Sequence, residues 1–274
     1  MSFTTATLLD KIKRIAAVPT SSSTFDDSEL LEIANDAIQG DILPDILKAR
    51  QEFLVVWDDV LPIDADPYPY IRVPDRAVGR SIIGVYNPDS DFIENPTLYY
   101  IENDKIYFID ESITLRRIRY YQRPAKLVEV SSCARITNVV LNTDPLLTDI
   151  TVSSVPISYT DADLYDIVRA KAGFDLLQKD ITVTIVGTTI TMATSSVPSE
   201  IQVGDYVCLA DTTPVPQIPV EWFTYLANHT AALILDSIGD MEAAAKIEKK
   251  LPAMRKGALS LISPRVEKRG KAIM

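Results

Sequence analysis

The chain has 274 residues, 47% of them hydrophobic, and a formal net charge of −11. This length supports one large domain or two smaller ones with a buried core. The acidic balance argues against a protein that grips nucleic acid through its phosphates, because that requires clustered Lys and Arg. No apolar run reaches the roughly 20 residues of a transmembrane helix.

Three short helices are predicted at the start of the chain. Apolar residues recur at helical spacing over residues 8–16 among several charges, which indicates an amphipathic helix and not a signal peptide. Thr24 and Asp26 are candidate N-caps of a second helix. A third helix is predicted from Asp41 towards Trp57.

Strands are predicted after Trp57, because prolines exclude a helix interior and short runs rich in Val, Ile, Tyr and Thr appear. Residues 98–102 and 105–109 flank Asn103 and Asp104, two residue types that tolerate the positive φ of a tight turn. They predict a β-hairpin. The next strand is predicted over residues 113–121.

Residues 131–212 read as the short strands of a small antiparallel barrel or sandwich. This region contains a weak internal repeat, since residues 150–156 resemble residues 190–198. Both segments follow a strand-like run. The sequence therefore predicts two related hairpins in one sheet.

The helical pattern returns after Pro219 and ends at Gly239. A last helix is predicted from Asp240, with a kink at Pro252 because proline removes one backbone donor. The chain ends in a basic segment without apolar periodicity.

Helices at both ends with strands between them predict an α+β fold. We expect an α-helical bundle formed by the N- and C-terminal segments, with an inserted antiparallel all-β domain of barrel or sandwich type. The predicted helical domain comprises residues 1–57 and 215–274. The β domain comprises residues 58–214, with possible parts at 58–130 and 131–214, and residues 263–274 form an extended tail.

Few residues carry chemistry. The one histidine, His229, has apolar neighbours one helical turn away, which favours a packed or hydrogen-bonded residue over a catalytic one. Cys133 and Cys208 are far apart in sequence and lack C-x-x-C spacing, so we expect two free and mostly buried thiols.

Glycine-rich phosphate loops and the serine-hydrolase elbow are missing from the sequence. Two acidic clusters have oxygen ligands for a hard cation, but such clusters usually stay solvated. A pair of carboxylates for glycoside hydrolysis stays an open alternative, because the distance between the two groups in the folded protein cannot be read from the sequence. The clusters are Asp58, Asp59, Asp64 and Asp66, and Asp161, Asp163 and Asp166. We predict that the protein is not an enzyme and has no catalytic residue, cofactor or metal.

Basic and aromatic residues interleave over residues 115–123, as they do on surfaces that bind single-stranded nucleic acid. On a strand, however, Arg116 and Arg117 point to opposite faces, which breaks up a continuous cationic surface. We therefore favour subunit contacts through Arg–carboxylate pairs at Arg116, Arg117 and Arg119 over contacts with DNA.

Charge is distributed unevenly along the chain. From Arg255 onward there are six basic residues and one acidic residue, a net of +5, which leaves −16 for residues 1–254. An acidic body with a basic end suggests either simple solubility or two different environments.

Several segments, in this order along the chain, resemble the head-to-tail adaptor proteins of tailed bacteriophages. They are residues 24–31 (TFDDSELL), 72–74 (RVP) with 76–79 (RAVG), 203–207 (VGDYV), 214–219 (PVPQIP) and 261–266 (LISPRV). Each segment is weakly specific alone, and their shared order covers most of the chain. Pro252 departs from the uninterrupted last helix that the family pattern implies.

The resemblance implies a structural virion protein of the phage neck, made in the bacterial cytoplasm. It implies a homo-oligomeric, dodecameric ring that docks under the portal protein, lengthens the DNA channel for genome passage and ejection, and offers a surface to the next neck or tail protein. It implies no membrane partner. The basic tail is then the predicted contact to the portal or a neighbouring subunit, through Arg265, Val266, Lys268, Arg269 and Lys271. The alternatives are another tail or baseplate assembly protein, or a cellular enzyme or nucleic-acid binder.

Overall fold

The computed structural model describes residues 3–17, 25–65, 67–88, 97–109, 114–141, 146–171 and 176–262. The chain divides into two compact units. One, the helix–barrel unit, contains residues 1–50 and 124–274, and the other, the sandwich unit, contains residues 51–123. The domain boundaries inferred from the sequence, at 57/58 and 214/215, stay predictions.

The helix–barrel unit contains the helices from both ends of the chain. They are α1 (Thr5–Ile15), α2 (Asp27–Ala37), α3 (Leu43–Ala49), α4 (Phe223–Ser237), α5 (Met241–Glu248) and α6 (Leu251–Ile262), with a π-helix (Ile38–Ile42) between α2 and α3. The N-terminal helices α1 and α2 both pack against α4. This packing around inserted antiparallel sheets confirms the predicted α+β fold.

Helix α2 begins as the sequence predicts. The Glu29 carboxylate accepts a hydrogen bond from the backbone N–H of Asp26 at 3.0 Å, which is one half of a capping box. Leu30, Leu31 and Ala34 form the buried stripe of the helix. The second candidate cap, Thr24, lies outside the described residues.

The sandwich unit contains two three-stranded antiparallel sheets. Its strands are β1 (Val55–Val60), β2 (Tyr70–Arg72), β3 (Ala77–Tyr86), β4 (Tyr99–Glu102), β5 (Lys105–Phe108) and β6 (Arg116–Gln122). The sheet orders are β1-β6-β3 and β2-β5-β4. Apolar side chains from both sheets form one core between them, including Ile71, Val85, Ile106, Phe108 and Ile118.

The predicted hairpin is confirmed as β4 and β5. Asn103 and Asp104 form its turn with φ of 48° and 65°, the left-handed conformation that the two residue types tolerate. The predicted strand over 113–121 is found as β6, although residues 110–113 lie outside the described part of the chain.

The third predicted helix is shorter than expected. Helix α3 ends at Ala49, a 3₁₀ turn follows over Gln51–Leu54, and β1 begins at Val55. The prediction that the helix continues towards Trp57 is wrong because the β-branched pair Val55 and Val56 starts a strand that pairs with β6.

The second β region forms one antiparallel sheet of seven strands. They are β8 (Ala134–Leu141), β9 (Leu147–Val152), β10 (Leu164–Val168), β11 (Leu176–Thr182), β12 (Thr184–Val186), β13 (Thr189–Ala193) and β14 (Tyr206–Leu209). The order is β11-β10-β14-β8-β9-β13-β12, and Val183 alone joins the two end strands. The sheet therefore curls back on itself as a small barrel around Ile136, Ile150, Tyr165 and Ile190.

The two similar segments of the weak internal repeat lie in neighbouring strands. Strand β9 carries the first and β13 the second, and they pair antiparallel with Ile150 opposite Ile190. Strands β7 (Lys126–Leu127) and β15 (Thr212–Thr213) pair in parallel just before and just after the barrel strands. We call this place, where the chain enters and leaves the barrel, the neck of the barrel.

The predicted last helix is two helices. Helix α5 ends at Glu248 and α6 begins at Leu251, which places Pro252 in the first turn of α6. Proline is tolerated there because the first-turn N–H groups have no partner within the helix. The prediction of a kinked single helix is corrected to a break before the proline.

Candidate interaction surface

Strand β6 carries the three arginines that the sequence singled out, and it sends them to two faces. Burial alternates strictly along the strand, with Arg116 inside and Arg117 and Arg119 outside. The predicted division of neighbouring arginines between opposite faces is confirmed.

Arg116 is part of the interior of the sandwich unit. Only 1% of its surface is exposed, and its guanidinium lies over the Phe108 ring at 5.2 Å and donates to the Asn87 side-chain oxygen. Its predicted subunit contact would require the side chain to leave this position. The contacts predicted for Arg117 and Arg119 stay predictions.

Arg117 holds a carboxylate of its own unit. Its Nε and Nη2 donate to the two oxygens of Asp59 at 2.7 and 2.8 Å, a bidentate pair between β6 and β1. The hydrogen bond from Arg117 lowers the pKa of Asp59 below its usual value. Both side chains are about 40% exposed, so the pair contributes modestly to stability.

Arg119 lies next to this pair on the outer face. Its guanidinium carbon is 5.0 Å from the centre of the Trp57 ring, within the range of a cation–π contact. Among the described residues, Arg119 makes no hydrogen bond or ion pair, and its Nε is buried without a partner. Of the two outer arginines, Arg119 is therefore the one whose guanidinium can bind a carboxylate of another molecule.

Two aromatic rings complete this surface, which we call the Trp/Arg face (Trp57, Tyr86, Arg117 and Arg119). The Trp57 and Tyr86 rings are 5.6 Å apart, and Trp57 is 39% exposed. The Tyr86 ring lies over Gly84, where an added Cβ would come within 2.5 Å of the tyrosine hydroxyl. Glycine thus makes room for the ring. Trp, Tyr and Arg are the residues most enriched among interface hot spots.

The outer face of the other sheet carries a row of tyrosines, the tyrosine face (Tyr68, Tyr70, Tyr100 and Tyr107). Tyr70, Tyr107 and Tyr100 are directly opposite one another on β2, β5 and β4. The Tyr100 and Tyr107 rings stack at 5.0 Å with an interplanar angle of 14°. Tyr68 meets Tyr100 edge-on at 6.4 Å.

A charged row runs beside the tyrosines, since Arg72, Lys105 and Glu102 are opposite one another in the same registers. The Lys105 ammonium lies 4.1 Å from the centre of the Tyr70 ring. Glu102 is exposed and makes no ion pair among the described residues. The sequence predicts the hairpin but this face was not predicted, although the alternation of Tyr and charged residues in both strands could have revealed it.

The carboxylates of the second acidic cluster accept hydrogen bonds within the barrel. Asp166 is fully buried and accepts backbone N–H bonds from Asp180 at 3.1 Å and Asp211 at 3.0 Å. Asp161 accepts from the Ile185 N–H at 2.8 Å, and Asp163 from the Thr160 hydroxyl at 2.7 Å. These bonds fix turns of the barrel.

In the other cluster, Asp58 accepts from the Tyr120 hydroxyl at 2.7 Å, and Asp66 lies outside the described residues. Within the described ranges, no group of three His, Cys, Asp or Glu residues is arranged to hold a metal ion.

His229 is packed and hydrogen-bonded, as the sequence predicted. Its Nε2 is 2.8 Å from Asp41 Oδ2, and its ring stacks on Tyr225 at 5.5 Å. Cys133 and Cys208 are free and buried, which confirms the expectation of two buried thiols.

The predicted tail contacts, Arg265, Val266, Lys268, Arg269 and Lys271, lie outside the described residues. None of the helices that the structure describes combines the length and apolar character needed to cross a membrane. No protein-family model matches the chain, and no curated protein matches it significantly.

Proposed function

We propose that this chain is a ring-forming structural subunit, a head-to-tail adaptor of a tailed bacteriophage. In this role it docks under the portal protein, extends the DNA channel and offers a surface to the next neck or tail protein. The ordered resemblance of its sequence segments supports the family. The observation that carries the proposal is the pair of chemically different exposed faces on the sandwich unit.

A ring requires two different surfaces on each subunit, because a head-to-tail contact joins one patch to another and closes when the rotation allows. The sandwich unit has such a pair. Its two sheets share one core, so the Trp/Arg face and the tyrosine face lie on opposite outer sides of the same small body. We infer that the Trp/Arg face of one subunit contacts the tyrosine face of the next.

The charges of the two faces are complementary. Arg119 on the Trp/Arg face has no ionic partner among the described residues, and neither has Glu102 on the tyrosine face. An Arg119–Glu102 contact between neighbouring subunits satisfies both groups. Aromatic side chains around the pair exclude water, which strengthens the charge contact.

The net charge of the chain suits a channel for DNA. A formal charge of −11 repels phosphates, so DNA passes without being held by counterion release. The basic segment from Arg265 to Lys271 supplies the opposite charge for an acidic surface on the portal or a neighbouring subunit.

Electron microscopy of the purified protein mixed with portal rings tests this function. We expect the full chain to form a second ring on the portal, and a variant ending at residue 262 to dock more weakly. Equal docking by both would remove the tail from the mechanism. A protein that leaves portal rings bare at every concentration would contradict the adaptor function itself.

A further inference from the structure

Cys133 and Cys208 are far apart in sequence but opposite one another in the barrel. Strands β8 and β14 are antiparallel neighbours with Ala134 paired to Val207. One further step along this register places Cys208 opposite Cys133. The backbone of Cys133 is extended, with φ −126° and ψ 143°, so it continues β8 by one residue.

The register also fixes the type of pair. Ile136 donates its N–H to the carbonyl of Asp205 at 2.8 Å, which sets this position as a hydrogen-bonded one, and the Ile136 carbonyl accepts from the neighbouring Gly204 at 2.9 Å. Pair types alternate along an antiparallel ladder, so Cys133 and Cys208 form a non-hydrogen-bonded pair. In agreement, the Cys133 N–H points away from β14 and donates to Val130 at 3.2 Å.

Non-hydrogen-bonded pairs bring their Cα atoms to about 4.5 Å, and disulfides span Cα distances of about 4.4 to 6.8 Å. A regular pair of this type therefore has the Cα separation that a disulfide needs. Both cysteines also belong to one cluster of buried side chains, together with Val168, Tyr206 and Val215.

The two cysteines lie at the neck of the barrel. Cys133 immediately precedes β8, the first barrel strand, and Cys208 lies in β14, the last one. All other barrel strands fall between them in sequence. The parallel pair of β7 and β15 lies just outside the same neck. One bond between the two sulfurs would close the whole barrel as a covalent loop.

We infer that Cys133 and Cys208 are a latent disulfide pair, a modification site at which oxidation closes the neck of the barrel. The co-reactant is a low-molecular-weight disulfide such as oxidised glutathione. In two exchange steps its S–S bond breaks, the Cys133–Cys208 bond forms, and the two protons and two electrons given up by the protein thiols appear in two small thiols. This inference is independent of the proposed function.

Burial makes the pair latent. It raises the pKa of the Cys208 thiol well above its usual value, so the reactive thiolate is scarce while the barrel is closed. Oxidation therefore requires local opening of the neck. The product is intramolecular, because each thiol has the other as its neighbour when the neck closes again.

The test treats the full-length protein with oxidised glutathione, with and without a low concentration of urea that opens the barrel locally. Intact mass spectrometry then measures the loss of two hydrogen atoms, and peptide mapping identifies the linked cysteines. We expect slow oxidation without urea and much faster oxidation with it. The oxidised protein should melt on the order of 10 °C higher than the reduced protein, because the closed loop restricts the unfolded chain.

Cys133→Ser and Cys208→Ser serve as matched controls, and neither should show an oxidant-dependent change in melting temperature. The wild-type peptide map stands as a readout even where a variant folds poorly. Stable glutathione adducts, disulfide-linked dimers or thiols that remain free in urea would overturn the inference.

Discussion

The buried carboxylate of Asp166 offers a sharp test of how the barrel is held together. It accepts hydrogen bonds from the backbone of Asp180 and Asp211, whose φ values of 54° and 61° lie in the left-handed region. Bonds to a charged group contribute about 1.5 to 3 kcal/mol each. Alanine removes both bonds but also relieves the cost of burying the charge, so we expect Asp166→Ala to lower the free energy of unfolding by about 3 kcal/mol.

Urea unfolding followed by circular dichroism measures this loss. Asp166→Asn keeps one acceptor oxygen but sets an amide N–H₂ against a backbone donor, so we expect an intermediate loss of about 2 kcal/mol. Asp163→Asn is the matched control, since Asp163 is half-exposed and binds a single hydroxyl, and it should change stability by less than about 0.5 kcal/mol. A loss below about 1 kcal/mol for Asp166→Ala would refute the reasoning.

Two further predictions concern ion pairs. Because Arg117 depresses the folded-state pKa of Asp59, the stability that this pair contributes is complete above the unfolded carboxyl pKa of about 3.9 and is lost as the pH falls through the lower folded-state pKa. Carboxyl NMR titration should therefore give Asp59 a higher midpoint in Arg117→Gln than in the wild type, and equal midpoints would contradict the pairing. Arg255 donates to both oxygens of Asp45 at 2.5 and 2.7 Å, and because the Asp45 side chain is only 7% exposed, Arg255→Met should leave a buried, unpaired carboxylate and cost about 2 kcal/mol. Hydrogen exchange of α6 should then be faster, whereas unchanged protection would show that the pair does not hold the helix.

Local signals predicted local structure well. The Asp26 cap and the Asn103-Asp104 turn each depend on a few neighbouring residues, and both are found where the sequence places them. The pairing of β1 with β6 overrode the helical pattern before Trp57, because helix propensity is weak beside tertiary contacts.

The pairing of strands that are distant in the chain could not be predicted from the sequence. The alternation in β6 predicts that neighbouring arginines diverge, but both faces contain polar residues, so it cannot tell that Arg116 is the buried one. Cys133 and Cys208 become neighbours only through the register of β8 and β14. Likewise, the tyrosine face exists because three strands align Tyr70, Tyr107 and Tyr100.

A pair of substitutions that swaps the charges of Arg119 and Glu102 tests the proposed assembly most directly. Native mass spectrometry would count subunits in the assemblies formed by the wild type, Arg119→Glu, Glu102→Arg and the double variant. We predict that each single change weakens assembly and that the double variant restores it, because the opposite charges meet again across the subunit contact. Single variants that assemble like the wild type, or a double variant as defective as the singles, would contradict assembly through these faces.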